Sequence, residues 1–416
     1  MPHAKNRRCY NPAMPSLSSR LPTVHTAEAP RLSKRIVGLD ALRMIAACIV
    51  VVGHLTYVIW LEQPHPPPTS LLTRPFIWFG WVGVEIFFVL SGFVIASAAY
   101  GFALSDARTA AHTIFLHHRL KRLVPAAFIC STFTAIILLL TGAMPKYRVA
   151  LSWVRTMSLL PQGPWPILHI PLIDISYWTL TLEAIFYSLV YLLLRLRRID
   201  KLPTVMAILG GLSSIHWIVF FLLHRHDGGP RPWLYPSPLR ALAQMTLMVN
   251  GCYFAIGVFL WLCLFQGVTW KRIVILALCI AGGVLQIVQR WNVFYGIPAT
   301  FRVMLWFLAL VVIVACSIFN RRVQLALGHR GAAILRRIGL MTYPLYLIHF
   351  EFSKRLILAI RGSVGDWSAA ALAMASSLIL AYLVSKFLEP PTQRILWNFM
   401  TRGSHTGVAT SLASNT

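Results

Sequence analysis

An arginine and a histidine stand with ten uncharged residues between them, in R-M-I-A-A-C-I-V-V-V-G-H at 43–54. On a helix turning about 100° per residue, eleven steps make three turns plus roughly 20°. Arg43 and His54 therefore share one face, about 16 Å apart along the axis. Asp40 lies on the same face, three residues before Arg43, at the spacing of an ion pair. Ionisable groups in an apolar segment are costly and are functional by default. Two plainer readings stay open: Arg43 as a snorkelling anchor at the inner interface, and His54 as a packing histidine bonded to a neighbouring carbonyl.

Further polar groups in apolar surroundings extend the set. Glu183 occurs in S-Y-W-T-L-T-L-E-A-I-F-Y, and Glu85 in G-W-V-G-V-E-I-F-F-V-L-S-G-F. Counted from the ends of their segments, Glu183 lies about 9 Å below the outer edge, a depth similar to that of His54. A carboxylate there would fix the imidazole tautomer and raise its basicity, as in hydrolytic triads; pairing with an arginine elsewhere is the alternative. Glu85 is expected in the bilayer's middle third, with a structural and a chemical reading both open. Gly80, Gly83 and Gly92 allow close helix approach, and Ser91 is expected to pack rather than react. Arg119 and Arg122, with Lys121 beside them in F-L-H-H-R-L-K-R-L-V-P, suit a polyphosphate. Simple cytoplasmic positive charge would explain the same cluster.

These residues need a scaffold, and the composition supplies one. The chain has 416 residues, 57% hydrophobic and 12% charged, with mean hydropathy +0.67. Apolar runs of about twenty residues, the length that crosses a bilayer as helix, recur along it. The expected fold is an all-α polytopic bundle with ten spans, at about 39–60, 76–98, 123–142, 177–195, 203–223, 245–266, 271–289, 303–320, 338–358 and 367–388. Residues 1–35 read as a disordered basic tail, 36–390 as the transmembrane domain and 391–416 as a C-terminal tail. The ninth span is the most polar, carrying Tyr343, Tyr346, His349 and Glu351.

The net charge of +26 would suit a nucleic acid, but the basic residues cluster between apolar runs as membrane topology requires. No nucleic-acid partner is expected. With the N-terminus inside, 24 lysines and arginines face the cytoplasm and ten, Arg302 among them, face outside. Both termini are therefore expected in the cytoplasm and the chain in the plasma (inner) membrane, with membrane lipid as partner. The seven cysteines follow no metal spacing, so neither a disulfide nor a metal is expected. Outside, P-H-P-P-P in the first loop reads as a stiff spacer. Residues 143–176 carry W-V-R-T-M-S-L-L-P, amphipathic enough to lie in the interface, and 224–244 carry H-R-H-D-G-G-P-R-P-W.

Taken together, the segments G-L-D-A-L-R-M-I-A-A-C-I-V-V-V-G-H (38–54), G-V-E-I-F-F-V-L-S-G-F (83–93), R-L-K-R-L-V-P (119–125), W-T-L-T-L-E-A-I-F-Y (178–187) and Y-P-L-Y-L-I-H (343–349) resemble the acyltransferase family 3 membrane proteins. These O-acylate bacterial surface glycans and some other hydroxyl acceptors. Each segment is weak alone; five in the family's order, spanning most of the chain, are strong. Arg43 and His54 match the family's arginine–histidine motif, Arg119 and Arg122 its arginine pair, and Trp178 and Glu183 its tryptophan–glutamate segment. Some members carry an added extracellular esterase-like domain, which is not expected here.

The resemblance implies acyl transfer from acyl-coenzyme A, with no permanently bound cofactor. His54 is then the expected general base for a glycan or glycolipid hydroxyl, oriented by Glu183. Arg119 and Arg122 would hold coenzyme A phosphates, and Arg43, positioned by Asp40, would contact the donor near its thioester. Tyr346 and His349 are candidate cavity residues without a role, and Glu85, Ser91 and Trp178 are supporting candidates. The acyl group is expected to be acetyl. The competing class is a transporter or exporter of a glycolipid or small molecule, which would more often show related halves.

Overall fold

A computed structural model describes residues 35–61, 80–104, 110–160, 170–224, 243, 246–295 and 299–402. The expected tail up to residue 34, the P-H-P-P-P spacer, the H-R-H-D-G-G-P-R-P-W stretch and the chain after 402 lie outside the described residues.

The described chain is helical almost throughout. Its helices are α1 (Gly38–Leu61), α2 (Val82–Ala103), α3 (Ala111–Leu140), α4 (Lys146–Ser158), α5 (Trp178–Arg195), α6 (Leu202–His224), α7 (Gly251–Phe265), α8 (Trp270–Tyr295), α9 (Thr300–Ile318), α10 (Asn320–Val364), α11 (Asp366–Leu383) and α12 (Glu389–Arg402). A 3-10 turn, Ile175–Tyr177, leads into α5, and a π-helical turn, Val384–Leu388, joins α11 to α12. Within α10, Gly328 takes a positive φ of 60°, which breaks the helix ahead of the span expected at 338–358.

Among the described residues, eight helices are long and apolar enough to cross a membrane. Two expected spans fall short of that measure for different reasons. α7 is apolar but has only 15 residues. The span expected at 338–358 is a helix but carries Glu351, Lys354 and Arg355. Side-chain distribution is inverted relative to a soluble domain. Ile208, Leu212 and Ile215 on α6, and Leu308 and Val311 on α9, face outward, while Asp40, Glu85, Arg302 and His349 are buried. That arrangement suits lipid outside and polar groups gathered within.

Register shows how the helices run. Asp40 meets Gly339 and His54 meets His349, so α1 and α10 are parallel. Phe88 packs on Phe254 and Tyr100 on Trp261, so α2 and α7 are parallel too. Gly53 meets Gly80 and Ala46 meets Gly83, so α1 and α2 are antiparallel. These relations are the ones serial crossing demands if α7 and α10 each count as a crossing. Glycine permits the closest approaches. A Cβ at Gly53 would strike the Gly80 backbone, one at Gly92 the Phe254 carbonyl, and one at Gly257 the Val89 carbonyl.

Three expected positions need correction. Glu85 lies in the first turn of α2, not in mid-span, because that helix begins at Val82 rather than near 76. Arg119 and Arg122 lie inside α3, which starts at Ala111, not at a helical start. Arg302, counted among the outside charges, is in the first turn of α9 and buried. The expected interfacial stretch is α4. It lays Val149, Ser152 and Thr156 inward and leaves Tyr147, Leu151 and Val154 exposed. The six described cysteines are free thiols.

Candidate active site

At the lower end of α1, Asp40 is buried and gathers two arginines. It accepts from Arg35 Nε and Nη2 at 2.9 and 2.7 Å, and from Arg43 Nη1 at 3.0 Å. The Asp40–Arg43 pair is the one its spacing foretells. Arg35, which the sequence reading left in the tail, is the stronger partner, in the two-pronged geometry guanidinium favours. Gly339 of α10 makes room, since a Cβ there would lie 2.7 Å from Asp40.

Arg43 also lines a cavity with about 840 Å³ of empty space, its open mouth included, between α1, α2, α3, α5 and α10. Arg119 and Arg122 of α3 line it as well. Arg119 stacks over the rings of Phe115 and Tyr187 at 5.3 and 5.7 Å, and its buried Nε has no hydrogen-bond acceptor. Three guanidinium groups thus share one cavity. On its α5 wall, Glu183 accepts from Ser91 Oγ at 2.6 Å and from Tyr187 OH at 2.8 Å. Tyr187, one helical turn after Glu183, was missed by the sequence reading, although the i, i+4 spacing puts the two on one face. Thr179, on the same wall, lies 3.1 Å from the hydroxyl of Tyr346. Trp178 packs edge-on against Phe88 at 6.0 Å.

His54 is not paired with Glu183. Its Nδ1 lies 2.7 Å from Nε2 of His349, with the two rings stacked at 4.9 Å. The depth comparison failed because α5 begins well inside the bundle. Thr179 faces Tyr346, and α5 and α10 are antiparallel, so Glu183 falls opposite residue 342, seven residues and about 10 Å from His349. Trp81 and Phe350 close around the His54 ring at 5.8 and 4.9 Å, both edge-on.

The histidine pair has a readable proton arrangement. His349 Nδ1 lies 2.8 Å from the backbone carbonyl of Tyr346. A carbonyl only accepts, so His349 carries its proton on Nδ1 and, when neutral, accepts on Nε2. His54 must then donate from Nδ1 to His349, which leaves the lone pair of His54 on Nε2. Tyr346 links this pair to the cavity: its carbonyl holds His349 while its side chain lines the cavity beside Phe87, 5.8 Å away.

A buried carboxylate fixes the helices that carry these groups. Asp174 Oδ1 accepts from Ser176 N at 2.8 Å and from the Ser176 hydroxyl, while Oδ2 accepts from Glu351 N at 2.9 Å. It thereby ties the start of α5 to α10, two residues beyond His349. Nothing in its local sequence marked it.

A family model described as an acyltransferase domain, that of acyltransferase family 3, matches residues 36–386. The chain belongs to acyltransferase family 3. Three relatives of this acyltransferase chain illustrate its range. It is 25% identical over 240 residues to a putative peptidoglycan O-acetyltransferase, YrhL, of Bacillus subtilis, covering 53% of this chain and 33% of that protein. It is 29% identical over 133 residues to the exopolysaccharide production protein ExoZ of Rhizobium meliloti, covering 30% and 38%. It is 26% identical over 386 residues to the acyltransferase MdmB of Streptomyces mycarofaciens, covering 87% and 92%. The matched segment thus spans 33% and 38% of the first two relatives and nearly all of the third. No solved structure matches.

Proposed function

We propose that the protein is an integral-membrane O-acyltransferase of the plasma membrane, with both termini cytoplasmic. It moves an acyl group, expected to be acetyl, from acyl-coenzyme A to a hydroxyl of a cell-surface or exported glycan or glycolipid. His54 is the general base. The observation that carries this reading is the hydrogen-bond chain from His54 through His349 to the Tyr346 carbonyl, which leaves a lone pair on His54 Nε2.

A sugar hydroxyl is a poor nucleophile at neutral pH, and a positioned imidazole contributes roughly 10²–10⁴-fold by taking its proton during attack. The hydroxyl oxygen attacks the thioester carbonyl carbon as its proton passes to His54 Nε2. The C–S bond then breaks, and the proton goes from His54 to the departing thiolate. His349 accepts from the His54 imidazolium throughout and so stabilises it. Arg119 and Arg122 bind coenzyme A phosphates, and Arg43 lies between them and the base. Glu183 has a different part from the one first expected: holding Ser91 and Tyr187, it shapes the wall along which the acyl-bearing arm climbs toward Phe87 and Tyr346.

Two relatives named for peptidoglycan O-acetylation and exopolysaccharide production support a polysaccharide acceptor. Family membership favours this reading over an exporter. The test is transfer of label from radiolabelled acetyl-CoA to membrane glycans by wild type and by His54→Ala at matched expression. Label in glycan with wild type and at least hundredfold less with the variant is the expected result. Equal labelling would remove His54 from the chemistry.

A further inference from the structure

Apart from the cavity, the bundle holds a second layer of polar groups that the proposed mechanism does not use. Arg302 of α9 is 2% exposed, yet its Nε, Nη1 and Nη2 have no hydrogen-bond partner. Asn250 Nδ2, Gln286 Nε2 and Trp306 Nε1 are also buried without an acceptor. Register places these groups together. Trp306 packs edge-on against Tyr253 at 5.8 Å, which puts Arg302, one turn earlier, beside Asn250. Gln286 Oε1 lies 3.8 Å from Cys252 Sγ, and the packing of Phe88 on Phe254 brings Glu85 level with Gly251. The Glu85 carboxylate is near enough to act electrostatically on Arg302.

These four side chains, on or next to α7, α8 and α9, all offer donors, and the carboxylate beside them is Glu85 of α2. A buried guanidinium without an acceptor is among the costlier features a fold can hold, and groups of this kind mark places where something other than the chain completes the bonding. The helix ends add a positive field, which the Glu85 carboxylate offsets only in part. α2, α7 and α9 all begin at this layer, at Val82, Gly251 and Thr300, so three positive helix ends converge beside Arg302. The height matters too. Gly38 packs against Cys316, so Arg302 lies about 21 Å up α9 and His54 about 24 Å up α1 from that common contact. The two stand in the same outer part of the bundle.

We infer that Arg302, Asn250, Gln286 and Trp306 form a binding site for an oxyanion, a carboxylate or a phosphate, at the level of His54. The site itself does not depend on the proposed function; its assignment to an anionic group on the acceptor does. A glycan anchored by its anionic group here would have its hydroxyls held at the height of the base. A lipid phosphate is the other source of the same chemistry.

The test uses the full-length protein in detergent and equilibrium binding of radiolabelled inorganic phosphate, with acetate as competitor. Wild type should bind saturably and competitively. Arg302→Gln should weaken binding about ten- to hundredfold, the range for hydrogen bonds to a charged group. Trp306→Phe, which keeps an aromatic ring and removes one N–H, should weaken it several-fold and covers the case in which Arg302→Gln does not fold. No saturable binding to wild type, or equal binding by both variants, overturns the site. Phospholipid retained through delipidation by wild type but not by Arg302→Gln assigns the site to a lipid phosphate. A KM raised in Arg302→Gln for a carboxylated glycan, but not for its carboxyl-reduced form, assigns it to the acceptor. Phosphate binding that persists while no acceptor is acylated leaves the site standing and removes the proposed function.

Discussion

His349 decides what His54 can do. A lone imidazole carries its proton on either nitrogen, whereas one donating to His349 presents a single lone pair from a fixed ring. His349→Ala should therefore lower kcat by about 10²-fold and leave the KM for the acyl donor unchanged. A raised donor KM with unchanged kcat would place His349 in donor binding instead. The arginines should behave in the opposite way. Arg119→Ala or Arg122→Ala removes charge-assisted bonds to a phosphate, so the donor KM should rise tenfold or more with a smaller effect on kcat. Kinetics with acetyl-CoA varied at saturating acceptor separate the two patterns.

Among the helices, the closest approaches of α2 and α7 set glycine against a backbone carbonyl, with no flexible side chain at those points to give way. Gly257→Leu should force the pair apart and cost about 1–3 kcal/mol, read as a lower melting temperature in detergent. Asp174→Ala should release the start of α5 from α10, costing a similar amount, because it strands the backbone N–H groups of Ser176 and Glu351. Much of this architecture was legible in the sequence. All ten expected spans correspond to helices, because lipid demands long apolar runs that leave a plain trace. The Asp40–Arg43 pair was legible because it lies within one turn of one helix. The partner of His54 was not, because His349 is 295 residues away and its approach depends on how α1 and α10 pack. Glu183 was set at the depth of His54 by assuming that every span ends at one plane; α5 does not. Arg302 was hidden by the opposite assumption, that a basic residue near a span end belongs to a loop.

For the molecule as a whole, the apolar exterior and alternating helix directions define two ends, and the basic residues distinguish them. The proposed cytoplasmic termini would put α4 on the outside and the turn after α7 on the inside. In a background with native cysteines replaced, Tyr147→Cys should react with a membrane-impermeant maleimide in intact cells. Val268→Cys should react only after permeabilisation. Both positions are exposed, so the reverse pattern would invert the orientation.

The hydrogen-bond chain behind His54 stops at a backbone carbonyl, which cannot take up a proton and pass it on. It is an anchor and not a wire. Under the proposed mechanism, the proton removed from the acceptor has one exit, back through His54 to the leaving group, and no net charge crosses the bilayer in a turnover. The proposed reaction is then independent of the proton gradient. Dissipating the proton gradient with an uncoupler should leave the transfer rate in sealed vesicles unchanged at constant internal pH, and a slower rate would reveal a second proton path.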